Sequence, residues 1–242
     1  MALGAAPAGP SEPGGWRGRR TLLLLGGNEW CPPCGPADSW WLARAARPEV
    51  TVVTSAAQDI PETAVRWAAA HFARLGAAVR GCFVQTRSDA EDPALLAQLG
   101  GASAIYLCGG DPGAAQAVLF QSAAAEALHT AYRGGIPLAG SSAGAMVLGG
   151  ECLLPGENFG LRPGLGLVPD LVVVPHWNSA GRRWREVAIE LGREHLVVAI
   201  DESTGVCWDG AGWQVRGQGR AVLVSGGGER AVEGGGLPPP VE

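Results

Sequence analysis

Apolar and polar positions alternate along the chain in short blocks. Thr21–Leu25 is an apolar run ending at Gly26-Gly27 and reads as a buried strand. Val50–Thr54 is β-branched and reads as a second strand. Pro61–Leu75 carries Val65, Ala69, Phe72 and Leu75 at helical spacing, and Gly76 supplies the stop. Val79–Val84 predicts a third strand, Pro93–Leu99 a short helix, and Ala104–Cys108 a fourth strand halted by Gly109-Gly110. Gly113–Phe120 and Ala123–Arg133 read as helices, and Ile136–Ala139 as a strand running into Gly140-Ser141-Ser142-Ala143-Gly144. Val168–Val174, the helical pattern Ala180–Arg193 and the strand Val197–Ile200 follow. Beyond residue 200 come three short strand patterns, Gly205–Trp208, Trp213–Arg216 and Ala221–Val224, divided by Asp209-Gly210 and Gly217–Gly219.

Strand–helix alternation predicts an α/β fold of three layers, a doubly wound, mostly parallel sheet with helices on both faces. The last strands are expected as antiparallel edges. The expected organisation is a flexible tail over 1–19, a single α/β domain over 20–225, and a Gly/Pro-rich tail over 226–242.

Composition changes this picture little. The 242 residues are 47% apolar and 17% charged, enough for a full core. A net charge of −5 carries no footprint for nucleic acid. All 18 basic residues are Arg, which excludes a lysine-based mechanism within the chain. Leu22–Leu25 is far short of a membrane span, and the order of charges before it is not that of a signal peptide. A cytoplasmic protein is therefore expected. Six cysteines are scattered, and only Cys31-Pro32-Pro33-Cys34 has redox spacing. A structural zinc site would need two further ligands, and no second pair at matching spacing exists.

The chemistry gathers at residues 140–144. A strand turning through Gly-x-Ser-x-Gly into a helix lifts the serine clear at the carboxyl edge of a sheet. Ser141 is a rival, but the glycines at −2 and +2 select Ser142. The Ala143 N–H is expected as one oxyanion donor, and the Gly109-Gly110-Asp111 loop as the source of a second. Of the four histidines, His71 and His129 lie inside helix patterns and His195 at a helix end. His176 follows a strand and Pro175, at the edge where active groups gather in open sheets. The carboxylate that orients it stays open among Glu151, Glu157, Asp170, Asp201 and Glu202.

These segments together resemble peptidase family S51, which contains cyanophycinases and aspartyl dipeptidases. The resemblance rests on the first strand ending in Gly26-Gly27, on VTVVTSA with the later ARLGA, on AIYLCGGDP, GSSAGAM, LRPGLGLVPDLVVVPHW and AIDESTGV, in that order. It implies a fold like that of class I glutamine amidotransferases, with Ser142 as nucleophile, His176 as base, and Gly110 and Ala143 as oxyanion donors. In the family the acid lies between Ser and His, which favours Glu157, with Glu151 as the alternative because the loop here is short. The implied activity is hydrolysis of a small peptide or isopeptide, acidic in character, without metal or organic cofactor. Asp111, Arg182 and Arg185 are the implied substrate contacts. Two departures weaken cyanophycin as the substrate: Pro112 follows Asp111 where cyanophycinases have Gln, and Ala180 stands where they have Arg. A noncatalytic amidotransferase-like binding module is the competing reading. Relatives often pair, so a homodimer stays open.

Overall fold

A computed structural model of the protein describes residues 20–156, 159–225, 228–232, 237 and 239–240. The first strand explains the architecture. β1 (Leu22–Leu25) is four buried leucines with neighbours on both edges. Because successive side chains point to opposite faces, Leu22 and Leu24 enter one core and Leu23 and Leu25 another. Around β1 a seven-stranded sheet is built in the order β11-β10-β1-β5-β4-β2-β3. Its parallel strands are β2 (Glu49–Val53), β3 (Ala78–Cys82), β4 (Ile105–Leu107) and β5 (Leu138–Ser141). β10 (Thr204–Trp208) and β11 (Trp213–Gly217) complete it antiparallel.

The core under Leu23 and Leu25 is sealed by α1 (Gly35–Leu42) and α2 (Pro61–Arg74). Tyr106 meets Trp41 and Phe72 there edge to face, and Trp41 and Phe72 are tilted against each other, with centroids about 6 Å apart. The opposite face is covered by α3 (Pro93–Gly100), α4 (Pro112–Leu119), α5 (Ala123–Arg133) and α6 (Ala143–Leu148).

The expected class holds, but the strands divide between two sheets. The second has the order β13-β12-β9-β8-β6-β7, with β6 (Gly149–Leu154), β8 (Val168–Val174) and β9 (Leu196–Ile200) parallel. β7 (Gly160–Pro163) and β12 (Ala221–Ser225) flank them antiparallel, and α7 (Arg182–Leu191) packs on β9 and β12. β6 and β7 went unread because their sequences, GGECLL and GLRP, carry little alternation. The chain expected to trail off after residue 225 instead forms β13 (Gly228–Ala231), paired with β12. Glu229 there meets Arg220 at 3.0 Å and Arg185 at 3.6 Å, which ties an otherwise glycine-rich segment down. Residues 1–19 lie outside the described residues. No helix among the described residues is long and apolar enough to cross a membrane.

Candidate active site

The carboxyl ends of the two sheets face each other and are stitched by backbone hydrogen bonds. His176 N, after β8, donates to Gly26 O, after β1, at 2.7 Å, and Ser203 N, in the crossover from β9 to β10, donates to Gly27 O at 2.9 Å. Loops after β1, β5, β8 and β9 therefore converge on one spot.

Ser142 sits between β5 and α6 at φ 49°, ψ −115°, a strained conformation for a residue with a Cβ. It is held by Ser142 N donating to Leu25 O at 3.0 Å and Met146 N donating to Ser142 O at 3.0 Å. Gly144 is required because a Cβ there would collide with the Leu107 carbonyl of β4. The turn thus pushes the Ser142 hydroxyl out of the sheet and against His176, with Oγ 2.8 Å from Nε2.

His176 follows β8, also at positive φ (55°). Its ring lies against Gly27, where any Cβ would clash with the imidazole. Its Nδ1 is 2.9 Å from Glu202 Oε1. Glu202 follows β9, which pairs parallel to β8, so the two loops are neighbours. Ser179 Oγ donates to the same Glu202 oxygen at 3.1 Å, and Glu202 N donates to Asn178 Oδ1 at 2.9 Å. The hydrogen bond from His176 holds the Glu202 carboxyl below its ordinary range against a smaller opposing effect of burial, and Ser179 adds to the lowering. An ionised carboxylate only accepts, so Nδ1 carries the proton and Nε2 is left to accept from Ser142.

The acid favoured from family spacing is therefore replaced by another. Glu157 lies outside the described residues. Glu151 belongs to β6, opposite Pro163 and Val172, while the Nδ1 position is occupied by Glu202. The signal was present in the sequence. His176 and Glu202 each stand two residues beyond strands that neighbour in a parallel sheet.

Ser141, the rival, is fully buried, and its hydroxyl donates to Glu29 Oε2 at 2.9 Å. Glu29 Oε1 accepts from Gly109 N at 2.8 Å, and Asp111 N donates to Ala56 O at 2.9 Å. Between them the Gly110 N–H has no protein acceptor among the described residues, and neither does the Ala143 N–H at the start of α6. Glu29, which joins the β1, β4 and β5 loops, was not singled out from sequence; its place two residues after Gly27 was the available signal.

The side chains of the expected substrate contacts have protein partners and are not among the residues that line the cleft at Ser142. Asp111 caps α4, its Oδ1 accepting from Gly113 N and Ala114 N. Arg182 is 92% exposed and paired along its own helix with Glu186 at 2.7 Å. Arg185 donates to Trp177 O at 2.6 Å and lies over the Trp177 ring, acting as a strut under α7. The cleft of about 300 Å³ around Ser142 is instead lined by Pro112, Met146, Pro155, Ser179 and Trp184. The Cys31 and Cys34 thiols donate to Asn28 Oδ1 and Asn28 O and are not joined to each other. Burial pushes the Cys34 thiol up to about 12, the reverse of a reactive thiolate.

Comparison with known proteins follows the same lines. The cyanophycinase of Trichormus variabilis is 30% identical over 195 residues, 75% of this chain and 65% of that protein. The cyanophycinase of Synechococcus elongatus is 35% identical over 153 residues, 58% of this chain and 47% of that protein. The chain thus spans less than two thirds of these relatives' length. A crystal structure of a peptidase from an acI-B1 actinobacterium superposes with a TM-score of 0.77 at 24% identity, covering 90% of this chain and 96% of that one, which shows a shared fold. The family model for peptidase family S51 matches residues 24–215, most of the chain. The protein belongs to peptidase family S51.

Proposed function

We propose that the protein is a serine peptidase that cleaves a peptide or isopeptide bond through an acyl-enzyme. One observation carries this reading: Ser142, His176 and Glu202 form a continuous chain of hydrogen bonds, 2.8 Å and 2.9 Å long, ending on an open cleft. Ser142 Oγ attacks the scissile carbonyl carbon as its proton passes to His176 Nε2. The oxyanion is received by the unpartnered N–H groups of Gly110 and Ala143. The C–N bond then breaks, and the Nε2 proton leaves with the amine. Water, deprotonated by the same nitrogen, releases the acid and restores Ser142. Glu202 holds the imidazole tautomer and stabilises the imidazolium.

The acidic substrate expected from Arg182 and Arg185 loses its support, since both guanidinium groups are engaged outside the cleft. The lining favours a substrate with apolar surface beside the cleaved bond.

A fluorophosphonate probe tests the mechanism directly. Wild-type protein is labelled, and Ser142→Ala is not. Absence of label on folded wild-type protein overturns the peptidase reading in favour of a noncatalytic binding module.

A further inference from the structure

On the far side of Gly110 from the Ser142 cleft lies a second recess, of about 290 Å³. Gly110 lines both, so the two adjoin at the loop that carries the unpartnered N–H. Its walls are Trp30, Ala57, Ile60, Ala64 and Trp67, from the β1 and β2 loops and one face of α2. Trp67 is 56% exposed and Ile60 45% exposed; with Phe83 and Ile189 they make up the large apolar side chains exposed among the described residues. Neighbouring exposed apolar groups beside a polar site mark a binding surface. The polar side chains of the lining are already engaged with protein. Asn28 Nδ2 donates to Ser203 Oγ at 3.0 Å, and the Glu29 oxygens accept from Gly109 N and Ser141 Oγ. What the recess offers an occupant is therefore apolar, and its volume sits at the lower limit of ligand pockets (about 300–1,000 Å³), suited to one side chain.

We infer that this recess is a specificity site for an aromatic or aliphatic side chain on the acyl side of the scissile bond. The side follows from the base. The leaving amine must be reached by His176 Nε2, and His176 lines the cleft, not the recess. The acyl portion accordingly crosses Gly110 toward Trp67.

The inference rests on the Ser142 mechanism, and its test separates the two. N-acetyl α-aminoalkylphosphonate diphenyl esters place a chosen side chain on the acyl side. Ser142 Oγ bonds to phosphorus, one phenoxide is expelled, and the serine proton leaves with it as phenol. The phenylalanine and leucine probes are expected to inactivate at least about tenfold faster than the glycine probe, the scale on which apolar pockets discriminate. In Trp67→Ala and Ile60→Ala that ratio falls toward one. Equal rates for all probes overturn the recess and leave the serine mechanism standing. An arginine probe faster than phenylalanine also overturns it, because Glu29 would then be what the recess presents. If the ratio survives both substitutions while a dimer dissociates on sedimentation, the patch is a self-interface and the inference falls. Silence from every probe removes the mechanism and this inference together.

Discussion

Ser141 and Ser142 are adjacent and chemically identical, yet their hydroxyls meet opposite fates. The side chain of Ser141 still follows the pleat of β5 into the interior, where Glu29 holds it. Ser142 has left the strand at positive φ and meets His176. Glu202 acts at the same scale. Replacing it by Gln keeps the shape but removes the ionised acceptor that selects the imidazole tautomer. Glu202→Gln is expected to slow fluorophosphonate labelling by about 10²–10⁴-fold, the range general-base positioning supplies. A purely structural role would not alter the pH profile of labelling, whereas loss of the acceptor does. Stability should change with a definite sign. A carboxylate with a depressed native pKa contributes stability that is present above its unfolded value and lost as pH falls through the folded one. The gap in melting temperature between wild type and Glu202→Gln is therefore constant near neutrality. It closes in acid, below the ordinary glutamate value of about 4.3. Thermal unfolding at a series of pH values checks it.

At the scale of elements, α1 and α2 are joined by an interior polar contact. His71 Nε2 lies 2.8 Å from Asp38 Oδ2, with the two side chains 2% and 0% exposed. Arg74 Nη2 donates to His71 Nδ1 at 3.3 Å, which leaves the ring proton on Nε2 to meet Asp38. Burial pushes the Asp38 carboxyl up, and the His71 hydrogen bond opposes this. His71→Leu strands Asp38 without its partner beneath the aromatic cluster. The expected loss is about 3–5 kcal/mol in urea denaturation at neutral pH, the cost of breaking a buried polar pair on one side. From sequence His71 is only a polar interruption in an amphipathic helix. Its partner comes from a helix in a segment where only the Cys31/Cys34 spacing stood out. By contrast the long elements with strong periodicity, α2 and α5 among them, match their sequence patterns almost to the residue.

At the scale of the molecule, the chain passes between the sheets repeatedly. It moves from β5 to β6, from β9 back to β10, and from β11 out again to β12. The site lies on that seam, with Ser142 from the first sheet and His176 and Glu202 from the second. Since neither sheet is a continuous stretch of chain, both are expected to melt together. Denaturant unfolding followed by tryptophan fluorescence and by far-ultraviolet circular dichroism should give coincident transitions. Separated midpoints would show two independent units. The seam also explains the sequence reading that failed. The family resemblance placed the acid between Ser142 and His176, whereas the carboxylate in contact, one of those the residues had left open, arrives after a further helix and strand, because β9 returns beside β8.

The amino-acid sequence by itself determined the alternation of strands and helices, the strained turn at Ser142 and the candidacy of His176. Each depends on local periodicity, on glycine placement, or on the few residue types able to do the chemistry. Only the tertiary structure decided that there are two sheets, that Glu202 faces His176, that Ser141 is tethered to Glu29, and that Arg182 and Arg185 serve the helix instead of the cleft. Those outcomes depend on which strand ends become neighbours, a long-range property set by packing, and no spacing within one segment encodes it.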